Sequence, residues 1–92
     1  MSETSTSTSR GVSALFTAQG RLTAIPRKPA RREELLTHLA RTLFEPGRGY
    51  VEREVNEALL TVHEDYSALR RYLVIAGLLE RTRDGSSYRL AG

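Results

Sequence analysis

The sequence predicts a mainly helical α+β fold in which three helices are followed by a two-stranded β-hairpin. Apolar residues recur at helical spacing in two segments before residue 63. A third helical segment opens at Asp65, which suits an N-cap, and closes at Gly77, which tolerates the left-handed conformation past a helix end. The turn-forming pair Asp84-Gly85 then separates two short runs suited to strands. Because a helix that leads directly into a hairpin is the second half of a winged helix-turn-helix, this is the expected fold class.

The chain divides into a tail, an arm and one domain, since 92 residues allow no more than a single domain. Residues 1–11 are mostly Ser and Thr, so we predict that they form a disordered tail. Residues 12–28 are predicted to form a partly extended N-terminal arm with a basic end, and residues 29–92 the winged-helix domain. The arm residues expected to dock on the core are Phe16, Leu22 and Ile25.

Two amphipathic helices are expected at the start of the domain. The first runs from about Pro29 to Leu43, because proline favours the first helical position and Pro46-Gly47 ends the pattern. Its apolar face consists of Leu35, Leu36, Leu39 and Leu43. The second runs from about Glu52 to Val62 and leaves Leu60 pointing away from the core. Its apolar stripe consists of Val51, Val55, Ala58, Leu59 and Val62.

The third helix is expected from about Asp65 to Gly77, with the hairpin directly after it. At about 100° per residue, its inward positions are Leu69, Tyr72, Leu73 and Ala76. Its outward positions are Ser67, Arg70, Arg71 and Val74. The hairpin strands are predicted from Leu78 to Arg83 and from Ser87 to Leu90, with Tyr88 and Leu90 on the core side because side chains alternate along a strand.

Several function classes find no support in the composition. The chain has no cysteine and no apolar run long enough to span a bilayer, so we expect a cytoplasmic protein with no membrane partner. Neither a phosphate-binding glycine loop nor a hydrolase or zinc-protease motif is present, and His38 and His63 are the only histidines. We interpret His63-Glu64-Asp65 as a turn followed by an N-cap. No catalytic, cofactor-binding or metal-binding residue is therefore predicted, and no enzymatic activity.

The charges are distributed unevenly along the chain, although the net charge is only +3. Residues 1–32 carry six basic groups against one acidic group, and residues 66–92 carry five against two. Residues 33–65 carry three basic groups against eight acidic ones. Because the two ends are basic, a polyanion such as nucleic acid is the partner that this pattern favours.

The basic residues at the two ends predict how such a polyanion is bound. Arginine on the exposed face of a recognition helix contacts phosphates or the O6 and N7 atoms of guanine, and basic arms and wings contact the backbone. The candidate DNA-binding residues are Arg27, Lys28, Arg31, Arg32, Ser67, Arg70, Arg71, Arg81, Arg83 and Arg89.

Each of these groups also has a structural interpretation that the sequence leaves open. Arg70 or Arg71 can pair with Glu54 or Asp65 and brace the second helix against the third. The basic arm can be a solvated first turn in which Glu33 and its neighbour compete with phosphate for the arginines. The charges of the hairpin can serve to discourage pairing of its edges with other strands.

The sequence resembles the bacterial domain of unknown function 2087 over nearly everything after the tail. The resemblance is carried by residues 16–28 (FTAQGRLTAIPRK), Phe44-Glu45, Tyr50, Glu54-Val55-Asn56, Asp65, residues 69–74 (LRRYLV) and residues 77–81. It implies a winged-helix-like fold and a link to transcription, since the family occurs alone and at the C-terminus of ArsR-like regulators. The chain departs from the family at Val51, where Ser or Thr is usual, so the second helix is expected to begin without a side-chain N-cap. Pro29 and Ala30 interrupt the family's second basic cluster.

The leading functional hypothesis is a DNA-binding winged helix that acts in bacterial transcription regulation. Helix 65–77 would lie in the major groove, with the hairpin and the arm on phosphates. The expected partners are double-stranded DNA and, beside it, a second copy of the chain or a protein of the transcription machinery. The alternative is a protein-interaction module that docks through the acidic middle segment without binding DNA.

Overall fold

A computed structural model describes Val12 and residues 14–91, so the predicted disordered tail, residues 1–11, lies outside the described residues. The described chain contains three helices, α1 (Pro29–Leu43), α2 (Glu52–Leu60) and α3 (Tyr66–Ile75). It also contains three short strands, β1 (Tyr50–Val51), β2 (Leu79–Arg81) and β3 (Ser87–Leu90). The order is α1, β1, α2, α3, β2 and β3, which confirms the predicted mainly helical α+β class.

The sheet has three antiparallel strands in the order β1-β3-β2, where the sequence predicted two. The segment just before α2 pairs with the return strand of the hairpin. Tyr50 lies opposite Tyr88, and Val51 lies opposite Ser87. A strand of two residues is too short to show the alternation by which strands are predicted, so only the folded chain reveals this pairing.

Helix α1 has the bounds that the sequence predicted, with Pro29 in its first turn. Its inward face is almost completely shielded from solvent at Leu35, Leu36 and Leu39. Leu43 is half-buried against the same core. The apolar period of this helix therefore predicted its orientation correctly.

Helix α2 begins without a side-chain cap from Val51, as expected, because valine has no acceptor. Instead, the Glu54 carboxylate accepts the backbone N–H of Val51 at 3.0 Å, which is the second half of a capping box. The prediction that Val51 belongs to the apolar stripe is wrong, since its side chain is 49% exposed. Val51 lies in β1, and the strand alternation that buries Tyr50 turns the next side chain outward. Val55 and Leu59 of the same stripe are fully buried.

Helix α3 is capped by Asp65 and Gly77, the two residues from which its ends were predicted. The Asp65 carboxylate accepts the backbone N–H of Ala68 at 3.3 Å. At the other end Gly77 has a φ of 77°, and Leu78 donates its N–H to the Leu73 carbonyl at 2.9 Å, which forms a Schellman motif. Leu73 is fully buried, whereas Ala76, predicted to face inward, is exposed because α3 ends at Ile75.

The arm packs on the domain through the apolar residues expected to dock there. Leu22 is buried, and its N–H donates to the Val62 carbonyl at 2.7 Å. Phe16 and Ile25 are partly buried against the same core. The Arg21 guanidinium donates to the Leu60 carbonyl at 2.6 Å, which fixes the arm to the end of α2.

The hairpin turn is longer than a two-residue turn, although it is centred on Asp84-Gly85 as predicted. Thr82 donates its N–H to the Ser87 carbonyl at 2.9 Å, so the loop between them has four residues. The Asp84 carboxylate accepts hydrogen bonds from the Thr82 and Ser86 hydroxyls at 2.7 and 2.8 Å and from the Ser86 N–H at 3.0 Å. These bonds, first that from Thr82, lower the pKa of Asp84 from 3.8 to about 2.

Candidate nucleic-acid interface

The two faces of the hairpin differ in what they carry, because side chains alternate along each strand. On the inner face, Leu79 pairs with Leu90 and Arg81 pairs with Tyr88. Leu79 and Tyr88 are buried in the core, whereas Arg81, nearest the turn, is exposed. The inner face therefore belongs to the core at Leu79 and Tyr88. At Arg81 it becomes a charged, exposed edge that faces α3.

A groove of about 340 Å³ lies between this edge and α3. It is lined by Glu52, Ser67, Arg70, Arg71, Val74, Ile75, Arg81 and Tyr88. Three guanidinium groups thus share the groove with a single carboxylate. The groove brings together residues from α2, α3, β2 and β3, which lie far apart in the sequence.

Arg70 braces α3 against α2 through Asn56. Its guanidinium donates to the Asn56 side-chain oxygen, and the side chain is half-buried. The predicted partners of Arg70 are both occupied elsewhere, since Glu54 binds Arg48 and the Val51 N–H, and Asp65 caps α3. The predicted brace exists, but the partner proposed for it was wrong.

Arg71 projects from the side of α3 that lies opposite the core. It is exposed, with Ser67 one turn before it and Ile75 one turn after it. Ile75 is 73% exposed, an unusual exposure for so large an apolar side chain. In the part of the chain that the structure describes, the ion pairs are Arg48–Glu54 and Arg89–Glu80, so no carboxylate neutralises Arg71.

Glu52 and Tyr88 both line the groove and are bonded to each other. The Tyr88 hydroxyl donates to the Glu52 carboxylate at 3.0 Å. Burial raises the pKa of Tyr88, and Glu52 raises it further, while the positive charges of Arg70 and Arg81 act in the opposite direction. A Cβ built on Gly85 would lie 3.3 Å from Arg81 Nη1 and 4.0 Å from Glu52 Oε1, so both charged groups lie beside the turn.

A second cationic position lies on the other flank of α3. The guanidinium carbon of Arg32 stands 4.6 Å from the centre of the Tyr72 ring. Arg32 also donates from Nη1 to the Arg27 carbonyl at 3.3 Å, which ties the end of the arm to the first turn of α1. The exposed face of α3 is therefore flanked by arginine on both sides.

The ten predicted residues do not form one continuous surface. The groove gathers Ser67, Arg70, Arg71 and Arg81. Arg27 and Lys28 directly precede α1, Arg31 and Arg32 lie in its first turn, and Arg32 contacts the opposite flank of α3 through Tyr72. Arg83 is exposed in the hairpin loop.

Arg89 lies outside the groove, on the outer face of the sheet. It pairs there with Glu80 at 3.4 Å. Alternation along β3 places Arg89 on the face opposite to Tyr88, and its contact with DNA stays a prediction.

Four residues of the groove were not among the candidates: Glu52, Val74, Ile75 and Tyr88. Tyr88 was correctly assigned to the core side, and its pairing with Arg81 follows from the strand register. Ile75 lies one helical turn after Arg71, so helical periodicity was the signal that could have found it. Glu52 gave no local signal, because it meets Tyr88 across 36 residues of sequence.

The described residues show neither a metal-binding cluster nor a spanning helix. No group of three or more His, Cys, Asp or Glu side chains among them could hold a metal ion. The His63 ring accepts the Asp65 N–H at 2.9 Å, as suits the turn predicted there. In this same part of the chain, every helix is too short or too polar to cross a membrane.

A family model described as an uncharacterized protein conserved in bacteria (DUF2087) matches residues 21–90. The chain belongs to this family. The DUF2087 region contains the six helices and strands named above for the described residues, and all ten candidate residues. It also contains both partners of the Arg70–Asn56 brace, which joins two of the motifs that carry the resemblance, at residues 54–56 and 69–74. No curated protein and no solved structure matches the chain.

Proposed function

We propose that this DUF2087 protein binds double-stranded DNA and acts in bacterial transcription regulation. The single observation that carries the proposal is the groove between α3 and the hairpin, where Arg70, Arg71 and Arg81 outnumber the one carboxylate, Glu52. In the proposed complex α3 lies in the major groove, and the hairpin edge and the arm contact phosphates. The proposed place of action is the cytoplasm.

The chemistry of the groove favours a phosphate-bearing partner. A guanidinium group has five N–H donors and no acceptor, and its planar fork fits phosphate oxygens and the O6/N7 edge of guanine. The Glu52 carboxylate accepts a hydrogen bond from Tyr88 at 3.0 Å, and neither ion pair among the described residues includes it. The groove therefore keeps a positive excess for a ligand.

The order of elements supports a winged-helix interpretation. Two successive helices, α2 and α3, are followed at once by the β2–β3 hairpin, and β1 completes the sheet. In helix-turn-helix proteins the second helix of such a pair enters the major groove. Here the residues of α3 that face away from the core are Ser67, Arg71 and Ile75, which leaves arginine as the main reader of base edges.

A duplex held in this way contacts the protein on both flanks of α3. Arg81 lies on the hairpin side, and Arg32 lies on the α1 side. If about four to six phosphates are neutralised, log K falls with log salt at a slope of roughly −0.9 for each of them. The domain acts alone or beside a second DNA-binding module, as the resemblance to parts of ArsR-like regulators implies.

The experiment is a fluorescence anisotropy titration of a labelled duplex of mixed sequence at two salt concentrations. The variant Arg71→Glu is expected to weaken binding at least tenfold, while its melting temperature stays near that of the parent protein because Arg71 is exposed. The matched control is Arg41→Glu, with the same change of charge on an exposed position of α1, roughly 13 Å along the helix from Arg32. This control is expected to bind within about twofold of the parent, since long-range charge effects are screened.

Equal losses in the two variants would mean that net charge alone drives the association and would contradict the proposed interface. No binding by the parent protein at either salt concentration would favour the alternative, a protein-interaction module. The structure gives that alternative less support, because three carboxylates of the acidic middle segment are engaged within the fold. Glu52 accepts from Tyr88, Glu54 binds Arg48, and Asp65 caps α3.

A further inference from the structure

Two arginine–tyrosine stacks with the same guanidinium-to-ring distance occur in the described chain, but their arginines differ in their partners. Arg48 and Arg32 each place the guanidinium carbon 4.6 Å from the centre of a tyrosine ring, those of Tyr50 and Tyr72 respectively. Arg48 is also paired with the Glu54 carboxylate at 3.4 Å. Arg32 has no carboxylate partner in the described residues and donates only to the Arg27 carbonyl. The first stack is thus neutralised within the fold, and the second keeps its charge.

The position of the second stack determines where the positive charge of Arg32 can meet a ligand. Tyr72 follows Arg71 in α3 and faces the flank opposite the groove, where it is half-buried beneath Arg32. The contact with the ring leaves the guanidinium N–H groups other than the one bonded to Arg27 available to an oxygen ligand. Because a guanidinium binds phosphate through these edge groups, stacking and phosphate binding are compatible.

We propose that Tyr72 is a positioning residue that holds Arg32 against α3 to bind a DNA phosphate on the flank opposite the groove. This inference rests on the proposed function, and it adds a specific second contact to it. A free arginine side chain loses much rotamer freedom when it binds, and a guanidinium that is already stacked loses less. Tyr72 would therefore contribute to DNA affinity without itself carrying a charge.

The experiment uses the full chain and the same labelled duplex, with Arg32→Gln, Tyr72→Leu, Tyr72→Phe and the double variant Arg32→Gln/Tyr72→Leu. Arg32→Gln is expected to weaken binding roughly three- to tenfold and to make the salt slope about 0.9 less steep, since one phosphate contact is lost. Tyr72→Leu is expected to weaken binding roughly two- to fivefold, the range set by a cation–π contact at an exposed site. Tyr72→Phe keeps the aromatic face and should bind within about twofold of the parent.

The double variant decides whether Tyr72 acts through Arg32. If it does, the double variant binds no more weakly than Arg32→Gln alone, because there is no guanidinium left to position. Losses that multiply would overturn the proposal, and so would a Tyr72→Leu variant that melts at a lower temperature but binds DNA as the parent does. Titrations well below the melting temperature of each variant keep a loss of stability from being taken for a loss of binding.

The matched control is Arg48→Gln, which removes the same charge from the neutralised stack. It should leave both the affinity and the salt slope nearly unchanged, because its guanidinium is paired with Glu54. An effect as large as that of Arg32→Gln would overturn the inference. Loss of DNA binding in the parent protein itself would overturn the proposed function, whereas parent binding with no coupling between Arg32 and Tyr72 would overturn this inference alone.

Discussion

The inner and outer faces of the hairpin each carry an arginine, but the two arginines have different surroundings. The inner face pairs Arg81 with Tyr88 and borders a groove with two further arginines. The outer face pairs Arg89 with Glu80 at 3.4 Å, and both side chains are more than half exposed. Glu80 balances the charge of Arg89 as Glu54 balances that of Arg48, although an exposed ion pair of this kind contributes at most about 1 kcal/mol to stability. What separates the two arginines is the side of the sheet on which each lies.

The comparison shows that a count of basic residues is a poor guide to a binding surface. Arg81, Arg83 and Arg89 share a sign and a short stretch of sequence, yet the strand register directs Arg81 and Arg89 to opposite faces. The groove gains its positive character because Arg81 meets Arg70 and Arg71 there. Position across the fold, more than charge along the chain, therefore defines the candidate interface.

The largest expected effect concerns stability and separates the two faces directly. Leu79 is 1% exposed on the inner face, so Leu79→Ala should reduce the free energy of unfolding by about 2–5 kcal/mol. Its neighbour Glu80 is exposed on the outer face, and Glu80→Ala should change it by less than about 1 kcal/mol. Urea denaturation of both variants measures the difference. Similar losses would mean that the faces are not distinguished by packing.

The next largest expected effect is on DNA affinity. The same substitution, arginine to glutamine, is compared at Arg81 and at Arg89. Arg81→Gln should weaken duplex binding roughly fivefold and make the salt slope about 0.9 less steep, because it removes one phosphate contact. Arg89→Gln should bind within about twofold of the parent, since its side chain lies on the other face. Anisotropy titrations at several salt concentrations provide both quantities. A greater loss with Arg89→Gln would reverse the assignment of the faces.

Much of this architecture could be predicted from local signals. Pro29 and the leucine period gave the bounds of α1, and Asp65 and Gly77 gave those of α3, because caps and periodicity act over only a few residues. The prediction of Val51 failed for the same reason, since its surroundings depend on the pairing of β1 with β3.

The candidate site could be predicted only in part, because its decisive contacts are long-range. Arg71 was correctly placed on the exposed face by helical periodicity. The partner of Arg70 is Asn56, which lies 14 residues away and competes with the carboxylates of Glu54 and Asp65 in any reasoning from sequence. The face of the hairpin on which each arginine lies depends on the strand register, which the sequence indicates only approximately.

The smallest expected effect is on thermal stability, and it concerns Asp84 in the loop that joins the two strands of the hairpin. The pKa of Asp84 is lowered from 3.8 to about 2 by its hydrogen bonds to Thr82 and Ser86. Because the folded pKa lies below the unfolded value, the ionised carboxylate stabilises the fold above about pH 4, and this contribution is lost as the pH falls toward 2.

The variant Asp84→Asn should therefore melt at a slightly lower temperature than the parent protein at pH 6, and the difference should disappear near pH 2. Thermal melts across this pH range measure it. A difference that stays constant with pH would show that the charge of Asp84 does not contribute. DNA binding at pH 7 should be unaltered in this variant, since the carboxylate bonds only within its own loop.

The central claim, that duplex DNA occupies the groove on the inner side of the hairpin, is tested most directly by NMR. The side-chain Nε–H signals of the arginines in the ¹⁵N-labelled chain can be followed while a short duplex is added. The signals of Arg71 and Arg81 should shift with the addition, and those of Arg48 and Arg89 should remain in place. Shifts centred on Arg89, or no shift at Arg71 and Arg81 once the duplex is bound, would contradict the claim.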